Sequence, residues 1–268
     1  MNIQWYPGHM AKAKRQIQEN IKLIDIVIEL IDARIPKSSR NPDISEIHSK
    51  PYVLAAAKSD LADPSCSDIW LNYWRQNNET VVLLDLITGR GLNQLNAEIR
   101  KFMPKLKRPA RVLIVGIPNV GKSTLINRLV GKGSTRVGAK PGVTRGKQWI
   151  NARGMQLLDT PGILWPKFEN QETAYKLAAI AAIKDEVLDV EKLVNWLLRF
   201  LMENYFELLK KRYGILAQTE DIESVLVNIG KRRGCLQSKG IVDKWKTAQI
   251  ILKDFRSGLI GPITLELP

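Results

Sequence analysis

The stretch Gly116-Ile117-Pro118-Asn119-Val120-Gly121-Lys122-Ser123-Thr124 limits the folds open to this 268-residue chain more than any other. It follows the apolar run Val112-Leu113-Ile114-Val115 and leads into Leu125-Ile126-Asn127-Arg128-Leu129, which is apolar at helical spacing. A strand, a glycine-rich loop and a helix in that order form a phosphate cradle. Backbone N–H groups close around the phosphates and the helix N-terminus adds positive potential. Lys122 can then reach the β- and γ-phosphates, and Ser123 can hold Mg2+. The alternative is a chance glycine turn with an exposed lysine, and the flanking strand and helix argue against it.

The rest of the chain supplies the layers such a loop needs. Ile26-Val27-Ile28-Glu29-Leu30-Ile31, Tyr52-Val53-Leu54-Ala55-Ala56 and Val81-Val82-Leu83-Leu84 read as buried strands. Helical patterns over 67–77 and 92–102 alternate with them, and short strands are expected around Gln148-Trp149-Ile150 and Met155-Gln156-Leu157-Leu158. Alternating strands and helices predict an α/β domain with a mostly parallel, doubly wound sheet over residues 1–168. From there to residue 268 the pattern is helical, over 172–183, 190–212, 220–229 and 241–256, which predicts a second, all-α C-terminal domain at 169–268. Ahead of the first strand, Trp5-Tyr6-Pro7-Gly8-His9-Met10 reads as a loop. Residues 11–23 read as an amphipathic basic helix whose charged face is either simply solvated or in contact with RNA.

Charge narrows the partners. The net charge is +14 and the isoelectric point about 9.8, a balance suited to polyanions such as nucleic acid. Between residues 111 and 169 there are ten basic and two acidic side chains, so the phosphate-binding region is the basic one. Residues 170–268 hold fifteen against thirteen, so a nucleic-acid face there must come from local clusters such as Lys231-Arg232-Arg233-Gly234 and Lys239-Gly240. Cys66 and Cys235 lie far apart, without metal-ligand spacing, and are expected to be reduced thiols. The opening residues lack the apolar run of a secretory signal, and no apolar run reaches the roughly 20 residues of a membrane span. The expectation is a soluble intracellular protein with no membrane partner, and nothing in the sequence demands a dimer.

A phosphate loop means GTP only with companions. Thr144, in Pro141-Gly142-Val143-Thr144-Arg145, suits the mobile-loop threonine that joins Ser123 on Mg2+. Asp159 and Gly162 fit the D-x-x-G segment, with Asp159 at the carboxyl end of a strand, where parallel sheets place ligands and where it adds to the metal site. Lys58-Ser59-Asp60 is the base-reading candidate, yet it precedes the phosphate loop. The order base, phosphate, switches is a circular permutation of the usual GTPase order.

With these motifs together, the sequence resembles the YlqF-type circularly permuted GTPases, the ribosome biogenesis GTPase A family. Further matches are Pro7-Gly8-His9-Met10, Asp32-Ala33-Arg34-Ile35-Pro36, Ile163-Leu164-Trp165-Pro166 and Asp254-Phe255-Arg256-Ser257-Gly258. The resemblance spans the whole chain. It implies a permuted P-loop GTPase domain followed by a helical RNA- or ribosome-binding domain. It also implies GTP and GDP as ligands, and cytoplasmic action on the large ribosomal subunit, with its rRNA and ribosomal proteins as partners. Hydrolysis would serve as a release or checkpoint switch.

The departures fall at the base end and at the water-activating step. Ala57 stands where the family carries the asparagine of N-K-x-D, and Asp85-Leu86 stands where Asn-Ser is expected in the second base-side loop. Both changes predict a retained but weaker guanine preference. Ile163 and Leu164 follow the D-x-x-G segment, and neither can orient water as the usual glutamine does. The resemblance implies that His9 takes that catalytic role; the other reading of His9 is a cap on the first helix. Asn119 resembles the asparagine that holds K+ against the phosphates, or else merely shapes its loop. Three functions are therefore open: an RNA-activated GTPase switch, a nucleotide-gated RNA-binding module with little turnover or relaxed guanine specificity, and, least supported by the permuted motifs, a P-loop kinase or ATPase.

Overall fold

A computed structural model of the protein describes residues 15, 17–42, 49–102, 108–131, 136–137, 149–152, 154–159, 164 and 170–268, with residues 136, 137 and 159 described by their backbone. They divide into two compact units. One holds the described residues up to Leu164 together with Glu266–Pro268, and the other runs from Asn170 to Leu265.

The first unit is built on strands β1 (Ile26–Asp32), β2 (Tyr52–Ala57), β3 (Val81–Leu84), β4 (Ala110–Gly116), β5 (Arg136–Val137), β6 (Trp149–Ala152) and β7 (Met155–Asp159). Among the described residues they form one sheet in the order β3-β2-β1-β4-β7-β6-β5. The five strands from β3 to β7 in that order are parallel, while β6 runs antiparallel to β7 and β5 antiparallel to β6. Every residue of β1 is buried, as expected of a central strand covered on both faces. Its one interior charge, Glu29, is met by Arg40 at 3.2 Å. Among the described residues the strands are accompanied by α1 (Pro64–Gln76), α2 (Leu92–Lys101) and α3 (Lys122–Val130). The start of α1 follows from Asp63, whose side chain accepts from the Ser65 N–H, with Pro64 at a position that needs no donor. Of the basic helix expected over 11–23, described residues 17–20 are helical and pass into a 3-10 turn at Ile21–Leu23. Ile17 and Ile24 are buried there with Val27, Leu113, Val115 and Leu158.

The topology locates the site. From β1 the chain proceeds outward through β2 to β3, and then returns to β4, on the other side of β1, beside β7. The strand order therefore reverses between β1 and β4, and ligands of such sheets lie beyond the carboxyl ends of the strands at that point. Asp32 ends β1 and Gly116 ends β4.

The second unit contains α4 (Gln171–Ala179), α5 (Val190–Asn204), α6 (Phe206–Tyr213), α7 (Ile222–Arg232) and α8 (Lys244–Arg256). Asn170, Asp189, Asp221 and Asp243 start four of them by accepting from backbone N–H groups in the first turn. The single helix expected over 190–212 is two. The chain breaks at Tyr205 (φ −138°, ψ 35°), whose hydroxyl both donates to Thr264 O at 3.1 Å and accepts from Thr264 N at 3.2 Å. Periodicity alone could not show this tertiary tie. Asp254 and Arg256 hold the bundle together. One oxygen of buried Asp254 accepts from Arg212 Nε (2.9 Å), Tyr213 Oη (3.1 Å) and Arg233 Nη2 (2.7 Å). Arg256 donates to the carbonyls of Ala178 and Ala179 and to both oxygens of Asp185. Among the described residues, no helix is long and apolar enough to cross a membrane.

Candidate nucleotide site

The phosphate loop begins where β4 stops pairing. A Cβ on Gly116 would lie 2.4 Å from the Leu30 carbonyl oxygen, so only glycine lets the loop leave the sheet this close to β1. Asn119 (φ 57°) and Gly121 (φ 114°) then adopt left-handed backbone, which asparagine and glycine tolerate best. The turn delivers Lys122 to the first position of α3. Its ammonium is buried inside the curl of the loop and donates to Gly116 O at 3.0 Å and Ile117 O at 2.7 Å. Gly121 precedes α3 with no side-chain cap at its start, the arrangement in which the first turn of a helix meets an anion. Val120 is buried, and Ser123 and Thr124 are exposed at the helix start.

One strand away, Asp159 ends β7, with its Cα paired in register with Ile114 of β4. Its place matches the expectation of a carboxylate residue at a strand end beside the loop. His9, Thr144 and Gly162 lie outside the described residues, as does most of the basic loop over 131–147.

The base-side residues gather on the other flank. Ala57 is fully buried at the end of β2, in register with Asp32 of β1 and Leu84 of β3. Lys58 follows in left-handed backbone (φ 58°), Ser59 N–H donates to Leu84 O at 3.1 Å, and Leu61 N–H closes the turn on Lys58 O at 2.9 Å. Asp60 stands exposed at the tip. In the neighbouring loop the Asp85 carboxylate is occupied by its own turn. Oδ1 accepts from the N–H groups of Ile87 (2.8 Å) and Thr88 (3.2 Å), and Oδ2 accepts from the Thr88 hydroxyl at 2.5 Å. The Thr88 hydroxyl and these N–H groups hold the Asp85 carboxyl below the usual carboxylate range, against the opposing effect of burial. Asp85 thus serves to shape the loop that presents Leu86.

That loop is fastened to the phosphate end. A Cβ on Gly121 would come within 3.0 Å of the Leu86 side chain. Arg128, on α3, donates through Nε to Leu86 O at 2.9 Å and through Nη2 to Ile87 O. Arg90 reaches Ser59 Oγ at 3.4 Å and so links the two base-side loops. Sequence reasoning missed Arg128 and Arg90, because their partners are backbone carbonyls and a hydroxyl distant in the chain. It noted Asp32 and Arg34 only as a motif.

Comparison with known proteins identifies the family. A family model described as a 50S ribosome-binding GTPase matches residues 111–232. "Ribosome biogenesis GTPase A" of Priestia megaterium is 47% identical, over 100% of this chain and 98% of its own length. "Mitochondrial ribosome-associated GTPase 1" of Bos taurus is 33% identical, over 98% of this chain and 88% of its own. The crystal structure of GNP-bound YlqF from T. maritima superposes with a TM-score of 0.71 at 27% identity, covering 96% of this chain and 98% of that one. With a relative almost half identical from end to end and a solved YlqF structure of the same fold, the chain belongs to the ribosome biogenesis GTPase A family of YlqF-type, circularly permuted GTPases.

Proposed function

We propose that this GTPase is a switch in assembly of the large ribosomal subunit, working as a monomer in the cytoplasm, with its hydrolysis stimulated by the pre-ribosome. The observation that carries the reading is the meeting of the two loops. Leu86 lies against Gly121, and Arg128 of the phosphate-loop helix holds the carbonyls of the base-side loop. A nucleotide spanning the ends of β1 and β4 would touch both at once. Residues 119–124 would cradle its phosphates, while Lys58, Ser59 and Asp60, with Leu86 of the Asp85 loop, would receive its base. The relatives' names supply the ribosomal context.

Ser123 at the start of α3 and Asp159 at the end of β7, with Thr144, would hold Mg2+. Hydroxyl and carboxylate oxygens suit that hard cation. Bound there, Mg2+ offsets charge on the β- and γ-phosphate oxygens. Asn119 is assigned to K+, and His9 to orienting the attacking water. The helical unit would meet rRNA through the exposed basic residues at the end of α7 and in the turn after it, Lys231, Arg232 and Lys239, with Arg233 between them held by Asp254.

Single-turnover GTP hydrolysis with and without large-subunit particles tests the proposal. The particles should raise the rate at least about 10-fold, a modest share of what activation supplies to other GTPases. His9→Ala should lose that stimulation while keeping its GTP affinity. Equal rates with and without particles would instead favour a nucleotide-gated RNA-binding module. The buried Ala57 and the self-occupied Asp85 carboxylate already point to relaxed guanine specificity in that second reading.

A further inference from the structure

A charge cluster that phosphate binding does not use is buried beside the base-side loops. Asp32, at the end of β1, has no exposed surface. Its Oδ1 accepts from the Arg34 N–H at 3.1 Å and Arg34 Nε at 2.9 Å. Its Oδ2 accepts from Arg34 Nη2 at 2.8 Å and pairs with Lys58 Nζ at 3.0 Å. The Asp32 N–H is itself held by Ser39 Oγ at 3.0 Å, and the Ala33 N–H donates to Ala57 O at 2.8 Å, so the two loops leave the sheet tied together.

Arg34, bidentate and 1% exposed, is enough to neutralise a buried carboxylate. Lys58 is a second cation on an anion already paired, and with 26% of its side chain exposed it did not need burial there. Its backbone is restricted by a φ of 58° and its tip by Asp32, which leaves the aliphatic stem between them little freedom. Ala57 has no polar side chain to hold this loop, so the anchor comes from the adjacent strand.

We propose that Asp32 is the positioning residue for Lys58: it fixes the lysine stem as a preformed platform for the guanine base, so that ordering that side chain is not charged against nucleotide binding. This rests on reading Lys58-Ser59-Asp60 as the base-binding segment. A carboxylate that merely completed the core would leave nucleotide selectivity untouched.

The test compares affinities for GDP, GTP, ATP and inorganic tripolyphosphate, with Mg2+ present. The variant Asp32→Asn/Arg34→Met removes the anion together with the buried guanidinium that pairs with it, so the two charges leave together. It should bind GDP and GTP at least about 10-fold more weakly while its tripolyphosphate affinity stays within about two-fold, because the platform touches the base alone. Lys58→Met should show the same loss, and adding it to the double variant should cost nothing more. Should the double variant not fold, Asp32→Glu, with its charge displaced by one methylene, should show the same split between guanine nucleotide and tripolyphosphate. Guanine-nucleotide affinity equal to wild type in the folded variant, an equal loss for tripolyphosphate, or additive losses with Lys58→Met would each overturn the role of Asp32. A wild type that binds GTP no better than ATP would overturn the base-segment reading itself, and this proposal with it.

Discussion

At the phosphate end, one contiguous stretch over 116–124 provides the turn, the cation and the helix start. At the base end, Asp32, Lys58, Ser59, Asp85 and Arg90 come from three separate strand ends. Phosphates are recognised largely by backbone N–H groups, whose placement follows from glycine positions within a single loop. A base must be gripped by side chains, and the candidate side chains here are held by partners from other parts of the sheet. Change at the phosphate end should therefore act on every phosphate ligand alike. Change at the base end should act through tertiary partners and separate one ligand from another.

The largest effect should come from Asp32→Asn alone, which leaves Arg34 buried beside a neutral partner. Equilibrium urea unfolding at pH 7 should show a loss of about 3–5 kcal/mol, the range for breaking one side of a buried ion pair. Burial would raise the Asp32 pKa, but the charges of Arg34 and Lys58 outweigh it and hold the carboxyl far below its usual range. With a depressed folded value, the stabilisation is complete above the unfolded value of about 3.9 and fades as pH falls through the folded value. The variant's deficit should thus be constant from pH 5 to 8 and shrink only in stronger acid. A deficit that disappears between pH 5 and 8 would contradict the buried pair.

Lys122→Ala should come next, removing a charged donor from the cradle. GTP, ATP and tripolyphosphate should all weaken by roughly 10- to 100-fold, the equivalent of about 1.5–3 kcal/mol for hydrogen bonds to a charged group. Loss confined to GTP would erase the distinction between the ends. Arg128→Ala probes their junction, since its guanidinium holds Leu86 O and Ile87 O. Stopped-flow release of fluorescent GDP should quicken about 5-fold, an effect near 1 kcal/mol, with tripolyphosphate affinity kept. Smallest is Ala57→Asn, which restores an amide at the end of β2. GTP preference over ATP and XTP should rise about 2- to 10-fold, from one hydrogen bond worth about 0.5–1.5 kcal/mol. No change would show that the base-side loop is already fully held without it.

The sequence made the phosphate end legible because loop, strand and helix are local. The apolar run over 112–115 became β4, and the glycines marked the backbone that approaches Leu30 and turns into α3. The permuted order of the motifs likewise makes Lys58-Ser59-Asp60, which follow the strand at 52–57, the candidate base segment. The same reading expected one helix over 190–212, because leucine spacing runs through Tyr205; the break depends on Thr264, far along the chain. Motif position made Asp85 a base-side candidate, but it could not show that both its oxygens go to Ile87 and Thr88, since that depends on how the turn folds.

Sequence by itself determined the fold class, the glycine-rich loop between strand and helix and the permuted order of the motifs, because each rests on periodicity, glycine placement or motif order along the chain. Only the tertiary structure decided that Lys58 ends on Asp32 and that Arg128 closes on the loop carrying Leu86. A lysine and a carboxylate twenty-six positions apart in the sequence meet only when β1 and β2 pair in register, and no local pattern records that pairing.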